Sequence, residues 1–233
     1  IIEDGESQII TAFESNSSSL SCALLLDATG SMQSIMPALK NAALRLIDEL
    51  REGDSVAVYS FRETTTVLQP FTTDKRAAKR AVLRAYPDGT TALYDAMVRV
   101  GREIAQRSGK KVIVAFTDGV DNMSSLAAEA AIRRAKSVGA AMYTIAQGDA
   151  LRFPMVLREL EGMSTATGGL PFYIQKPSEI RSVFDKVTND MKHGYLLAFK
   201  PPQAKGSEWR PVRVQISASR QYKVRAREGY FPQ

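Results

Sequence analysis

The chain has 233 residues, of which 44% are apolar and 24% are charged, and its formal net charge is +6. This length accommodates one large α/β domain, or one domain of about 180 residues with a small appendage. The composition excludes a disordered or collagen-like chain, and the lack of an apolar run of about 18 residues excludes a membrane span in this sequence. The single cysteine, Cys22, excludes an internal disulfide.

The positive charge is densest within one predicted helix, at Lys75, Arg76, Lys79, Arg80 and Arg84. Their spacing places them mostly on one side of that helix, as on any solvated helical face. No aromatic residue is interleaved with them, which argues against nucleic-acid binding. We therefore interpret the net charge as a scattered surface excess and expect no nucleic-acid partner.

Short apolar runs that end in turn or polar residues alternate with longer segments of helical pattern. The runs cover 20–26, 56–61, 112–116 and 140–146. This alternation predicts βαβ units and a doubly wound, mainly parallel sheet, which is a Rossmann-like α/β fold. The segment 64–71 follows the second run too closely for a helical crossover, so we expect an antiparallel edge strand there.

Helices are predicted where apolar residues recur every three or four positions. They cover 34–51, a segment that begins at Thr73 and Asp74, 91–106, 125–138, and a last helix with the stripe Ile180, Val183, Phe184, Val187 and Met191. Gly139 follows the fourth of them at the position where a glycine ends a helix.

Both ends of the chain are strand-like. After residue 191 the apolar pattern changes to alternation, at Val212, Val214 and Ile216 and then at Tyr222, Val224 and Ala226. Two strands joined over 217–221 are marginal alone, so we expect them to pack with SQIITAF at 7–13. The prediction is a main domain over 16–192 and a small β-sandwich-like, Ig-like lobe formed by 1–15 and 193–233. Because the chain begins inside a strand-like stretch, we also expect residues to precede it.

A cluster of oxygen-bearing residues follows the first predicted strand. Asp27, Thr29 and Ser31 occupy alternate positions in the turn that opens the first helix. Ligands of a doubly wound sheet bind at the carboxyl ends of its strands, where this turn is expected. A carboxylate and two hydroxyls are hard donors that suit Mg²⁺, Mn²⁺ or Ca²⁺ and not Zn²⁺. Taken singly, each residue could equally cap a helix without any metal.

Two further segments are expected at the same edge of the sheet. Gly89-Thr90-Thr91 precedes the third helix, and Thr117-Asp118-Gly119 follows the apolar strand VIVAF. Oxygen-bearing side chains would then converge from three loops onto one site.

This combination resembles the metal-ion-dependent adhesion site of von Willebrand factor A domains and integrin inserted domains. That site consists of an Asp-x-Ser-x-Ser turn, a distant Thr and a distant Asp. The matching positions are Asp27, Thr29, Ser31, Thr91 and Asp118, within a resemblance over residues 18–192. Thr29 replaces the usual Ser and keeps the hydroxyl, and Thr90 is the rival of Thr91 for the threonine position.

The resemblance implies a function in recognition. In the family the hydroxyls bind the ion directly and at least one carboxylate acts through water, which leaves a coordination position for an Asp or Glu of a protein partner. We therefore expect a protein-binding or adhesion module that depends on Mg²⁺, or on Mn²⁺ or Ca²⁺. The last helix moves on ligand binding in related domains, and such movement is a further hypothesis for this chain.

The flanking sequences resemble a bacterial group of von Willebrand factor A-related proteins that is common in acidobacteria. The matching stretches are EDGESQIITAF at 3–13, YLLAFKPP at 195–202 and RAREGYF at 225–231. The resemblance implies export, and hence an extracellular, periplasmic or cell-surface location.

Alternative functions remain open at this stage. Phosphatases of similar architecture need a second Asp where Thr29 stands, and the sequence contains no phosphate loop and no GxSxG elbow. The only histidine, His193, is expected far from Asp27, so we expect no enzyme. The other alternative is a structural scaffold whose metal site does not mediate contact and which binds partners through the β-lobe.

Overall fold

The computed structural model describes residues 1–15, 18–118, 120–201, 208–217 and 224–232. Their strands are β1 (Ile2–Glu3), β2 (Glu6–Ser7), β3 (Ile10–Glu14), β4 (Leu20–Asp27), β5 (Ser55–Phe61), β6 (Thr65–Thr72), β7 (Lys110–Thr117), β8 (Ala141–Gln147), β9 (Pro171–Ile174), β10 (Leu196–Phe199), β11 (Arg210–Arg213) and β12 (Gly229–Tyr230). Their α-helices are α1 (Met36–Glu49), α2 (Lys75–Arg84), α3 (Leu93–Ala105), α4 (Ala128–Val138), α5 (Pro154–Ala166) and α6 (Ile180–Lys192).

The central sheet has the strand order β6-β5-β4-β7-β8-β9. Strand β4 lies in the middle and pairs in parallel with β5 on one side and β7 on the other. Strand β6 pairs antiparallel with β5 at the edge. The predicted doubly wound, mainly parallel sheet with one antiparallel edge strand is therefore confirmed.

Helices cover both faces of this sheet, which explains why β4 and β5 are buried along their whole length. One face packs against α1, α2 and α6, and the other packs against α3, α4 and α5. Cys22 lies in the first of these cores, as expected, and burial raises the pKa of its thiol to about 12. The thiol is therefore neutral and inert at ordinary pH.

Helix ends follow the local sequence. The Asp74 carboxylate accepts hydrogen bonds from the backbone N–H groups of Arg76 and Ala77, which confirms it as a helix-start residue, the N-cap of α2. Gly139 ends α4 with φ of 68°, a left-handed conformation that glycine adopts without a steric penalty.

Helix α5 and strand β9 were absent from the predicted elements. The helix packs against β8, and β9 adds a further parallel strand beside β8. Strand β9 has only 4 residues and one of them is buried, so it carries no clear periodicity.

The prediction for the C-terminal tail is wrong in its positions. Strand β11 ends at Arg213, and the next strand among the described residues is β12, so Val224 and Ala226 do not lie in a strand. Tyr222 and the joining residues 218–221 lie outside the described part of the chain. Residues 224–228 instead lie against the end of α5. The Arg225 side chain donates a hydrogen bond to the Gly168 carbonyl at 2.9 Å. The Glu228 N–H likewise donates to the Ala166 carbonyl at 3.1 Å.

Strands from the two ends of the chain pair with each other. Strand β1 pairs with β11, and β3 pairs with β10 in a separate two-stranded ribbon. The buried Glu3 carboxylate lies 3.1 Å from the Arg210 guanidinium, which ties β1 to β11. The division into a main domain and one β-lobe stays a prediction. Among the described residues, none of the helices has the length and apolar character needed to cross a bilayer.

We predict that Leu24→Ala, in the centre of β4, lowers the free energy of unfolding by about 2–5 kcal/mol. Leu24 is fully buried, so truncation leaves a cavity between the sheet and its helices. Urea unfolding followed by circular dichroism measures the change. The control is Leu83→Ala on α2, where the side chain is 57% exposed and a change within about 0.5 kcal/mol is expected. Equal losses in both variants would contradict the proposed packing.

Candidate metal centre

The candidate site lies where two neighbouring strands of the central sheet end. Strand β4 ends at Asp27, and β7 ends at Thr117, directly before Asp118. The strands are parallel and in register, with Leu26 opposite Phe116. Their carboxyl ends therefore bring the two aspartates to the same edge of the sheet.

The Asp27 carboxylate is buried and held from two sides. One oxygen accepts a hydrogen bond from the backbone N–H of Thr29 at 3.0 Å, and the other accepts from the Thr117 hydroxyl at 2.8 Å. The first contact closes the turn after β4, and the second joins β4 to β7. The orientation of this carboxylate is thus fixed by the sheet and the turn together.

Hydroxyl groups connect Asp27 to Asp118. The Thr29 and Ser31 hydroxyl oxygens lie 3.1 Å apart within hydrogen-bond distance, and the Ser31 hydroxyl donates to the Asp118 carboxylate at 2.9 Å. The structure therefore brings these four predicted residues into one hydrogen-bonded cluster. Ser31 is the exposed member, so the cluster opens to solvent on its side.

The loop that carries Thr91 touches the same turn through its backbone. The Gly30 N–H donates to the Gly89 carbonyl at 3.2 Å, and the Asp88 N–H donates to the Ala28 carbonyl at 2.8 Å. Thr91 itself is buried. The fifth predicted residue thus lies in a loop that is attached to the cluster.

Thr90 and Thr91 have different surroundings. Thr90 is exposed, and both its backbone N–H and its hydroxyl donate to the Glu63 carboxylate, at 2.8 and 3.2 Å. Thr91 is the buried one, with its N–H bound to the side chain of Asn122 at 3.1 Å. This difference favours Thr91 as the candidate donor.

Sequence reasoning did not assign a role to two polar residues near the cluster. Thr117 is part of the Thr117-Asp118-Gly119 motif, and its position at the end of a predicted buried strand is the signal that the sequence offers for it. Asn122 carried no signal in the sequence, because its contact with Thr91 is tertiary. Gly119 lies outside the described residues.

The cluster concentrates negative charge. The pKa of the Asp118 carboxyl is raised to about 6, first by burial and then by the charges of Asp27 and Asp149. Burial also raises the pKa of Asp27, against the hydrogen bonds from Thr29 and Thr117. Ion pairs among the described residues involve neither Asp27 nor Asp118. Within the described part of the chain, the two buried carboxylates therefore have no basic side chain as an ion-pair partner.

The donor chemistry of this cluster suits a hard cation. The described residues contain no group of three or more His, Cys, Asp or Glu side chains arranged as a metal site. A cation here would depend on hydroxyl oxygens as well as on the two carboxylates, a set of donors that Mg²⁺ and Mn²⁺ accept and Zn²⁺ does not prefer.

We predict that Asp118→Asn stabilises the metal-free chain by about 1–3 kcal/mol at about pH 7.5. The folded pKa of Asp118 lies above its unfolded value, so ionisation costs the folded state. This cost is complete above about pH 6 and fades as the pH falls toward the unfolded value. Urea unfolding in chelator at about pH 7.5 and about pH 4 measures both variants. A wild-type chain that is the more stable one at about pH 7.5 would disprove the charge argument.

Comparisons with known proteins agree with this architecture. The family model for the von Willebrand factor type A domain matches residues 22–186. An uncharacterized protein of Synechocystis sp., sll0103, is 28% identical in an alignment of 212 residues that covers 85% of this chain and 49% of that protein. The chain therefore spans about half the length of this curated relative.

Two solved structures illustrate the likeness in fold. The von Willebrand factor type A protein from Catenulispora acidiphila has a TM-score of 0.66 at 23% identity, covering 82% of this chain and 52% of that one. The vWF domain of the type V pili tip protein Mfa5 from Porphyromonas gingivalis has a TM-score of 0.64 at 14% identity, covering 75% of this chain and 95% of that one. Because the family model extends from within β4 to within α6 and includes the whole candidate site, the chain belongs to the von Willebrand factor type A domain family.

Proposed function

We propose that this chain is a protein-binding module that depends on a divalent cation and takes a carboxylate from its partner. The residues proposed to hold the cation are Asp27, Thr29, Ser31, Thr91 and Asp118, and the proposed ion is Mg²⁺, with Mn²⁺ or Ca²⁺ as substitutes. The observation that carries the proposal is the pair of buried carboxylates, bridged by hydroxyls and not neutralised by a described basic side chain.

The electrostatics of the cluster support a cation. Burial raises the pKa of Asp118 most, and repulsion from the nearby Asp27 carboxylate raises it further, so the ionised pair is costly in this site. A basic side chain could relieve the repulsion, but the ion pairs of the described residues lie elsewhere. A small hard cation relieves it and also uses the hydroxyl oxygens of Thr29 and Ser31.

Exposure determines which side of the cluster a partner can reach. Asp27 is fully buried at the end of β4, whereas Ser31 is exposed. A partner would therefore approach past Ser31. When bound, the cation supplies a positive centre that an acidic side chain can contact, and the chain's own residues hold that centre in place.

Recognition fits the cluster better than catalysis does. The only histidine of the chain, His193, follows the end of α6, and its ring contacts the Asn189 carbonyl oxygen at 2.6 Å. Helix α6 follows β9 and runs antiparallel to the strands in a doubly wound fold, so its end is remote from the edge that carries Asp27. We therefore propose a non-enzymatic role.

A location at the cell surface is proposed from the likeness in fold to a pilus protein. The vWF domain that shares this fold is part of a protein named as a type V pili tip protein, and pili are cell-surface structures. We propose that this chain acts outside the cell or at its surface, in contact with another protein.

We predict that the full chain binds Mn²⁺ and that Asp118→Ala weakens this binding by at least about tenfold. Removal of Asp118 deletes one of the two carboxylates and the acceptor of the Ser31 hydroxyl. Isothermal titration calorimetry with Mn²⁺ measures the affinity, and circular dichroism verifies the fold. The control is Asp185→Ala on α6, where the carboxylate is exposed and an unchanged affinity is expected. A wild-type chain that takes up no Mn²⁺ would contradict the proposal.

Partner capture separates the adhesive role from the scaffold alternative. Exposed apolar side chains on and beside the β3–β10 ribbon favour the scaffold, with Ile9 84%, Phe13 64% and Tyr195 65% exposed. A pull-down with Mg²⁺ and with chelator is the test. Capture that is lost with chelator and with Asp118→Ala supports contact through the cation. Capture that survives both supports binding through the terminal strands.

A further inference from the structure

The start of helix α3 is capped by a different loop of the protein. Ala92, the residue at the N-cap position, cannot cap the helix with its side chain. The Tyr94 N–H instead donates to the Asp121 carboxylate at 2.9 Å, and the Asp95 N–H donates to the Ser124 hydroxyl at 3.0 Å. Both acceptors lie in the loop that follows β7 and Asp118.

The same two segments are joined by hydrogen bonds in the opposite direction. The Asp95 carboxylate accepts from the backbone N–H groups of Ser125 and Leu126, at 3.0 and 3.1 Å, and from the Ser125 hydroxyl at 2.8 Å. Residues 91–95 and 121–126 therefore form a reciprocal set of contacts. Such a set restricts movement of one loop relative to the other.

Thr91 lies at one end of this set and is held by Asn122. The Asn122 side-chain oxygen accepts from the Thr91 N–H at 3.1 Å, and the Asn122 N–H donates to the Thr91 carbonyl at 3.0 Å. The Met123 N–H donates to the same carbonyl at 3.0 Å. Both polar backbone groups of Thr91 are thus satisfied by the loop that begins at Asp118.

We propose that Asn122 is a positioning residue of the candidate metal centre, which holds Thr91 in register with Asp118 and thereby sets the affinity for the cation. The inference rests on the proposed function. The two candidate donors come from different loops, and the hydrogen bond from Thr91 to the Asn122 amide is a direct side-chain contact between those loops. Mutation of residues that orient metal donors without touching the ion commonly weakens metal binding by about 10- to 100-fold.

The chemistry of the asparagine side chain explains why this residue type suits the position. Its amide oxygen accepts from a peptide N–H as a backbone carbonyl does, while its own backbone N–H closes the contact from the other side. Leucine has a similar size and lacks the acceptor. Asn122→Leu therefore removes the side-chain hydrogen bond to the Thr91 N–H, while the backbone contacts to the Thr91 carbonyl do not depend on the substituted side chain.

A double-mutant cycle on Mn²⁺ affinity tests the proposal with the full chain. Wild type, Asn122→Leu, Thr91→Ala and the double variant are titrated with Mn²⁺ by calorimetry. Asn122→Leu is expected to weaken binding on the order of tenfold. In the Thr91→Ala background the same substitution is expected to change the affinity by less than about twofold, because its effect passes through Thr91.

Ser124→Ala is the matched control within the same loop. It removes the acceptor of the Asp95 N–H and leaves the contacts of Thr91 intact. The melting temperature should fall, while the Mn²⁺ affinity should change by less than about twofold. An equal loss of affinity in Ser124→Ala and Asn122→Leu would mean that Asn122 only stabilises the loop, and would overturn the proposal.

Amide exchange in the wild-type chain keeps the proposal falsifiable if Asn122→Leu does not fold. Added Mg²⁺ is expected to slow exchange at the backbone N–H groups of Thr91, Asn122 and Met123 together. Slower exchange at Asp118 with no change at these three amides would overturn the proposal.

The experiments distinguish failure of the proposed function from failure of the positioning role. A chain that binds no Mn²⁺ overturns both, whereas Mn²⁺ binding that needs Asp118 and is insensitive to Asn122→Leu overturns only the positioning role.

Discussion

The burial of the Asp27 carboxylate at the end of β4 is the constraint on which the candidate site depends. A charged group in that position is costly unless hydrogen bonds or an opposite charge compensate it. The Thr29 N–H and the Thr117 hydroxyl provide hydrogen bonds, but neither of them carries charge. Because β7 brings Asp118 to the same edge, the strand pairing that builds the core also creates a local excess of negative charge.

The parts of the fold that could be predicted are those in which burial imposes a simple pattern. Strands β4, β5, β7 and β8 are covered on both faces, so their apolar runs are nearly continuous and stand out from the helical segments between them. The tail differs, because Ile216 and Val224 are 52% and 37% exposed and their alternation does not correspond to one buried face. The 224–228 segment is determined by contacts with the end of α5, which local periodicity cannot reveal.

Some residues of the candidate site could likewise be predicted from the sequence, and others could not. Asp27, Thr29 and Ser31 lie in one turn, so their spacing alone placed them together, and the parallel sheet brought Asp118 to them. The sequence does not reveal that Glu63 binds Thr90, because that contact joins residues 27 positions apart. Asn122 could not be identified from the sequence, because its side chain contacts Thr91 across 31 residues of chain. Candidate donors are thus visible in a motif, whereas side chains that contact them only through the tertiary structure are not.

The reciprocal contacts between 91–95 and 121–126 also have a consequence for the cost of forming the site. Helix α3 obtains its cap from Asp121 and Ser124, so these two residues are held in place whenever the helix is folded. The helix is in turn buried against the sheet, which contributes far more to stability than the cap does. Packing of the core therefore compensates the entropic cost of ordering residues 91–95 and 121–126 before any ligand binds. Under the proposed function, a cation would meet donors that are already arranged, and most of its binding free energy would remain for affinity.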